Sequence, residues 1–149
     1  FHNFVTHLLE AAYQREVYDF IDAGKSFDAG KLSEIKRSVL ERFWGDAVEI
    51  NAGAELTWMR QIHYYMGLYS YTYSAGLTIA TQAFLRVKTE GEPAVGKWLE
   101  FLALGDQLEA AEAAALAGVD IKTDQALQDT IHYLDEAVDQ IITLSKELA

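Results

Sequence analysis

The chemistry of this chain is concentrated between Trp58 and Gly76, which read Trp-Met-Arg-Gln-Ile-His-Tyr-Tyr-Met-Gly-Leu-Tyr-Ser-Tyr-Thr-Tyr-Ser-Ala-Gly. Five of the eight tyrosines fall between positions 64 and 73, next to His63. A buried phenol must find a hydrogen-bond partner, so ordinary cores favour Leu, Ile, Val and Phe. Phenols clustered beside an imidazole are costly unless they have something to hold. Such groups donate to a carbonyl oxygen as it becomes an oxyanion. In metal-assisted peptide hydrolysis they share charge with a metal that polarises the carbonyl and activates water. Two plainer readings stay open on the residues alone. A tyrosine stripe also packs, and His63 among aromatics also reads as a structural histidine. Arg60, three residues before His63, suits a substrate carboxylate, with a salt bridge to Glu55 or another acid of the same lobe as the competing role.

Spacing decides which side chains can meet. In a helix Tyr69 and Tyr73 share a face, while Tyr71 points about 200° away from each. In an extended stretch all three share one side. Gly67 permits backbone conformations that other residues resist, so a helix–glycine–helix corner is expected around His63.

The elements that must carry this corner are helical. Apolar positions at helical spacing (Phe4, Val5, Leu8, Leu9, Ala12, Tyr13, Val17, Phe20, Ile21) predict a helix over residues 1–23, stopped by Gly24. Residues 25–30 are a loop in which Asp28 caps the next helix, 31–44, whose Leu32, Ile35, Val39, Leu40 and Phe43 turn inward. A helix is expected from Ala54 to about Tyr65, another from Ser70 or Tyr71 to about Lys88, then short helices at 94–103 and 106–117. Thr123-Asp124 caps a last helix reaching about Glu147. Period-2 alternation is missing throughout, so the expected class is all-α, one helical domain over 1–149. Trp44, Trp58 and Trp98 are expected core anchors. The acidic positions of the last two helices are expected to be solvated faces.

Composition excludes several functions. A single proline, Pro93, agrees with long helices. A net charge of −11 with no basic run argues against nucleic-acid binding. There is no cysteine, so disulfides and thiolate metal sites are ruled out. No apolar run has membrane-spanning length and no secretory signal is visible. A cytoplasmic location is therefore the expectation. The chain starts at Phe1 inside a helical pattern, which reads as a piece of something longer.

The string Glu55-Leu56-x-Trp58-x-Arg60-x-x-His63-x-Tyr65-x-x-x-Tyr69-x-Tyr71-x-Tyr73-x-x-Gly76 resembles the C-terminal signature of the oligoendopeptidase F family, which is similar to thimet oligopeptidase. Gly91-Glu92-Pro93-Ala94-Val95, Trp98-Leu99-Glu100-Phe101-Leu102 and Ala117-Gly118-Val119-Asp120 extend the resemblance over about residues 10–145. It implies the C-terminal lobe of a zincin-type zinc endopeptidase acting on short peptides. It further implies that Tyr71 stabilises the transition state with His63, Tyr69 being the next candidate for that role, and that His63, Tyr69 and Tyr71 contact the oligopeptide, with Tyr65 reaching it less readily. Arg60, read from its own charge, completes the expected substrate-binding set. Ile62 stands where a proline often precedes the family histidine. Met66 and Leu68 stand where a further aromatic is common.

The zinc-binding His-Glu-x-x-His of that family is not in this sequence. The four histidines are His2, His7, His63 and His132, and none has another four residues on. His7 with Glu10, and His132 with Glu136, share helix faces, but packing or exposed roles are expected for both pairs. The resemblance thus implies Zn2+ in the full-length enzyme and none bound by this chain. The missing N-terminal portion becomes its partner, and the fragment is expected to be inactive and to self-associate through uncovered apolar surface. A free-standing, non-catalytic helical interaction module is the rival reading, and a catalytically dead paralogue stands between the two.

Overall fold

The computed structural model describes residues 1–148, and among these there is no strand. The helices are α1 (His2–Asp22), α2 (Ala29–Trp44), α3 (Tyr71–Glu90), α4 (Glu92–Ala103), α5 (Ala110–Leu116) and α6 (Gln125–Glu147), with short 3-10 turns at Gly45–Ala47, Ala54–Met59 and Ile62–Tyr65. The all-α expectation is met. Among the described residues no helix is long and apolar enough to cross a membrane. The chain divides into two compact units, Phe1–Ser74 and the residues from Ala75 onward.

In the first unit α1 and α2 pack together through Leu9, Tyr13, Ile35 and Val39. Val17, Phe20, Leu40, Trp44 and Trp58 close around this core, so Trp44 and Trp58 act as the expected anchors. Asp28 caps α2 as anticipated, accepting from the Lys31 backbone N–H at 2.8 Å. The 3-10 turn at Ala54–Met59 lies against α2, where the Trp58 indole N–H donates to Ser33 Oγ at 3.1 Å.

The expected helix from Ala54 to Tyr65 is instead two 3-10 turns separated at Gln61, whose backbone is extended (φ −79°, ψ 101°). Neither turn has a side-chain cap at its start, and 3-10 geometry is the usual form of such short, poorly capped pieces. The consequence is functional: residues 60–70 leave α-helical geometry and bend around a side chain from elsewhere.

The second unit is built on small residues. Ala83, Ala94, Ala114, Ala117 and Ala126 are buried with Val119 and Thr130. Thr130 bridges the packing, donating to the Ala126 carbonyl at 2.8 Å and accepting from Gln82 Nε2 at 3.0 Å. Trp98 is only half-buried, stacked on Phe101 at 5.0 Å. Asp124 precedes α6 but makes no side-chain capping bond, so that anticipated cap does not form. The helix expected at 106–117 is shortened to Ala110–Leu116. Beyond it lies Gly118, whose φ is +81° and whose carbonyl accepts from Arg86 Nη1 at 2.5 Å. A Cβ at Gly118 would collide with that guanidinium.

Gly118→Ala should therefore combine left-handed backbone strain, about 1–3 kcal/mol, with displacement of Arg86. A urea melt followed by far-UV circular dichroism should show the midpoint falling. An unchanged midpoint would mean that Arg86 swings away freely and the backbone relaxes.

Candidate functional site

The His63–Gly67 segment is held by one side chain. Gln14, on α1 and only 3% exposed, donates its amide Nε2–H to the Gly67 carbonyl and, at 3.3 Å, to the His63 carbonyl. Gly67 has φ +67°, which turns its carbonyl in a way that a side-chain-bearing residue resists. One amide thus ties both ends of the loop to α1.

Next to this clamp, Lys36 of α2 is 2% exposed. Its Nζ donates to the Tyr64 hydroxyl at 2.6 Å and lies over the rings of Tyr13 and Tyr64, 5.2 and 5.1 Å from their centroids. Burial lowers the Lys36 pKa to about 8, opposed by the attraction of Glu10. Burial raises Tyr13 to about 12 and pushes Tyr64 higher still. Tyr64 is committed inward, and its neighbour in sequence is left to point the other way.

The loop so held gathers rings. His63 lies 5.3 Å from Tyr69 and 5.4 Å from Tyr73, centroid to centroid, and Tyr69 meets Tyr73 edge-on at 5.6 Å. His7 of α1 stacks on Tyr73 at 4.1 Å and lies 5.9 Å from His63. The Tyr73 hydroxyl is 3.4 Å from His63 Nε2, and the Gln61 amide nitrogen is 3.1 Å from Nδ1. The Tyr69 hydroxyl first, then burial and Glu10, raise the Tyr73 pKa and keep its proton in place. Ser74 anchors the start of α3 by donating to the Phe4 carbonyl at 2.7 Å.

The residues expected at a site are placed differently from one another. His63 is half-buried, Tyr69 is 37% exposed and Tyr71 is 52% exposed, so none is sealed in hydrocarbon. His63 and Tyr69 are brought together. Tyr71, the first residue of α3, makes none of these ring contacts and faces solvent, as its helical offset from Tyr69 and Tyr73 requires. Tyr65 is 67% exposed, its hydroxyl donating to the Trp58 carbonyl at 3.2 Å. Arg60 is exposed and does not take the ion pair considered for it. Glu55 pairs with Arg37 at 3.5 Å instead.

Sequence reasoning missed Tyr73, Gln14 and the convergence of His7 and Glu10 with His63, whose ligand atoms all lie within 4.8 Å of one another. The shared helical face of Tyr69 and Tyr73 carried the first signal. The other two depend on long-range packing of α1, for which local spacing holds no signal. His132 and Glu136 form an exposed pair at 3.2 Å, as expected.

These residues do not supply the ligand set of a helix-borne catalytic zinc. No two histidines lie one turn apart, and the gathered trio draws on α1 and the loop, with the Lys36 cation beside Glu10.

The class is defined first by the fold. The chain superposes on oligoendopeptidase-F from Enterococcus faecium with a TM-score of 0.91 at 19% identity, covering 98% of this chain and 28% of that one. Curated relatives agree. The chain is 23% identical over 131 residues to oligopeptidase PepF of Bacillus subtilis, covering 88% of this chain and 20% of that protein. It is 20% identical over 138 residues to an oligoendopeptidase F homolog of Borreliella burgdorferi, covering 93% of this chain and 23% of that protein. No family model matches the chain. The resemblance carried by the His63–Gly76 signature is borne out over nearly the whole sequence. The chain spans about a fifth to a quarter of the length of the curated relatives it matches.

Two outcomes follow from this geometry. Replacing Gln14 with Leu leaves two loop carbonyls without their donor, a loss of about 1–3 kcal/mol where such groups are buried. Hydrogen exchange of residues 62–68 should accelerate more than that of α2, and equal acceleration in both would show that Gln14 acts only through global stability. The second concerns pH. Above pH 8 the folded state sheds the Lys36 proton while the unfolded chain keeps it to about 10.5, so stability rises between them. Above pH 10 the unfolded chain ionises its phenols while Tyr13 and Tyr64 stay protonated in the fold, so stability falls again. Urea unfolding across pH 7–12 should pass through a maximum near pH 10, and Lys36→Met should flatten the rising limb.

Proposed function

We propose that this chain is the C-terminal, substrate-facing part of a zinc endopeptidase that hydrolyses short peptides, and that residues 1–149 work as one piece of that catalytic body. The observation that carries the reading is the ring cluster of His63, Tyr69 and Tyr73. It is held by Gln14 and left open to solvent, in a chain similar throughout to oligoendopeptidase F. In this reading the N-terminal portion of the same protein supplies the hydrolytic zinc, which polarises the amide carbonyl and activates water. No ligand for it is assigned to this chain.

The residues of this chain bind and stabilise. His63 and Tyr71 donate to the scissile carbonyl oxygen as it gains charge. Tyr69 and Tyr65 line the peptide path, and Arg60 meets a carboxylate. Exposure of Tyr71 suits this role, because a donor for an incoming substrate must not be spent on an internal acceptor. Val138, Ile141, Ile142 and Leu144 of α6 are exposed, which suits cover by further polypeptide or self-association of the isolated chain. The chain alone is inactive in this reading, and its place is cytoplasmic.

The test is made in the longer reading frame that contains this segment. Tyr71→Phe should lower kcat about 100- to 1000-fold, the usual loss on removing one oxyanion donor, with KM little changed. Tyr65→Phe should change kcat little. Undiminished kcat in Tyr71→Phe would transfer the role to Tyr69 or Tyr73. Absence of peptidase activity from the intact longer protein would favour a non-catalytic interaction module.

A further inference from the structure

His7 and Glu10 occupy one face of α1, three residues apart, and meet His63 from the 3-10 turn at Ile62–Tyr65. One ligand atom from each of the three lies within 4.8 Å of the other two. His7 Nδ1 is 2.9 Å from the Asn3 carbonyl, an arrangement in which Nδ1 carries the proton and Nε2 presents its lone pair. A metal-bound imidazole is typically oriented in this way, by giving its other N–H to a backbone carbonyl. Glu10 Oε2 is buried yet has no hydrogen-bond donor among the described residues. Its distance to His7 Nε2, 3.9 Å, is too long for a hydrogen bond. Two ligands each about 2.0–2.2 Å from a tetrahedral zinc sit about 3.3–3.6 Å apart, so a small inward movement of the side chains completes the geometry. As placed, the Gln61 amide N–H donates to His63 Nδ1 and Nε2–H faces the Tyr73 hydroxyl, so a metal would take one of these nitrogens in place of its present partner.

We propose that His7, Glu10 and His63 form a three-ligand site for a divalent transition metal of the zinc class, leaving one position open to the adjoining cavity. That cavity is about 480 Å³ and is lined by His2, His7, Glu10 and Arg60 among others, so water or an anion can reach a fourth coordination position. Two imidazoles and one carboxylate match zinc, cobalt or nickel better than calcium or magnesium, which want oxygen ligands. Lys36 and Arg60 line the same cavity and oppose a second cation. Lys36 does so less than its position suggests, because its ammonium is turned to the Tyr64 hydroxyl and the two tyrosine rings. The site differs in kind from a helix-borne pair of histidines, since it exists only while the loop bearing His63 is docked on α1. It shares His63 with the peptidase reading, so a bound metal would compete with the donor role given to that imidazole there, and it runs against the sequence-based expectation that this chain holds no metal.

The test uses the 149-residue chain and Zn2+ and Co2+ alone. Isothermal titration with Zn2+ should show one site per chain in the micromolar range, and Co2+ should give the intense visible bands of low coordination. Glu10→Gln and His63→Asn, each checked for folding by far-UV circular dichroism, should weaken binding at least tenfold and bleach the Co2+ bands. His132→Ala, which removes the exposed pair with Glu136, should leave both unchanged. If either of the first two variants misfolds, His7→Gln takes its place. Loss of binding only in His132→Ala, equal affinity in all variants, or no saturation at millimolar Zn2+ would each overturn the site. None of these results depends on peptidase activity, so they leave that reading to its own test.

Discussion

The Gln14 amide is the interaction on which the site depends. Two carbonyls four residues apart, those of His63 and Gly67, share one buried donor group from α1. A loop of this length could satisfy its backbone with water at little cost. Held by one buried side chain, it has a single register. His63 then faces α1, and α3 begins where Tyr69 and Tyr73 can close on the imidazole. Ser74, donating to the Phe4 carbonyl, fixes the other end of the same arrangement. Every ring in the cluster is therefore positioned against the first four turns of α1.

A second buried polar group works beside the first. Lys36 brings a positive charge into a shell of aromatic carbon, where the Tyr64 hydroxyl accepts its hydrogen bond. Truncating one partner of such a pair leaves the other desolvated and unsatisfied. Tyr64 is thereby locked inward while Tyr65, next in sequence, is directed outward toward solvent. The pairing separates two adjacent, chemically identical residues into a structural one and an exposed one.

Much of the fold was legible because long amphipathic helices announce themselves by period and punctuation. Gly24, Asp28 and Gly91-Glu92-Pro93 mark boundaries close to those of α1, α2 and α4. Legibility failed at residues 54–65, where helix-forming residue types sit in 3-10 turns. The first of those turns packs on α2, a tertiary fact, and the extended Gln61 parts it from the second. It failed again at Glu55, where proximity in sequence suggested Arg60 as partner and packing supplied Arg37. Within the candidate site the tyrosine density and His63 were visible from spacing. The acceptor-rich wall of α1, with His7, Glu10 and Gln14 on it, was not, since forty-nine residues separate Gln14 from His63.

The division among the three alternating tyrosines follows from where α3 begins. Because Tyr71 is the first helical residue, Tyr73 lies on a helix face and Tyr69 just before it, and both turn to His63 while Tyr71 turns away. Starting the helix two residues later would put all three in an extended stretch and place Tyr71 on the opposite pleat from its neighbours Ser70 and Thr72. Ser70 is fully buried at this junction. The two faces then have different chemistry. Tyr73, its pKa raised by Tyr69, burial and Glu10, keeps its proton and its place against the imidazoles. Tyr71 keeps its hydroxyl free of the cluster. A donor meant for a transient oxyanion gains from that freedom, because a hydrogen bond to a permanent internal partner would have to be broken as charge develops. The cluster around His63 and the outward Tyr71 are thus two products of one helix start, the first serving to hold the imidazole and the second left to meet what arrives.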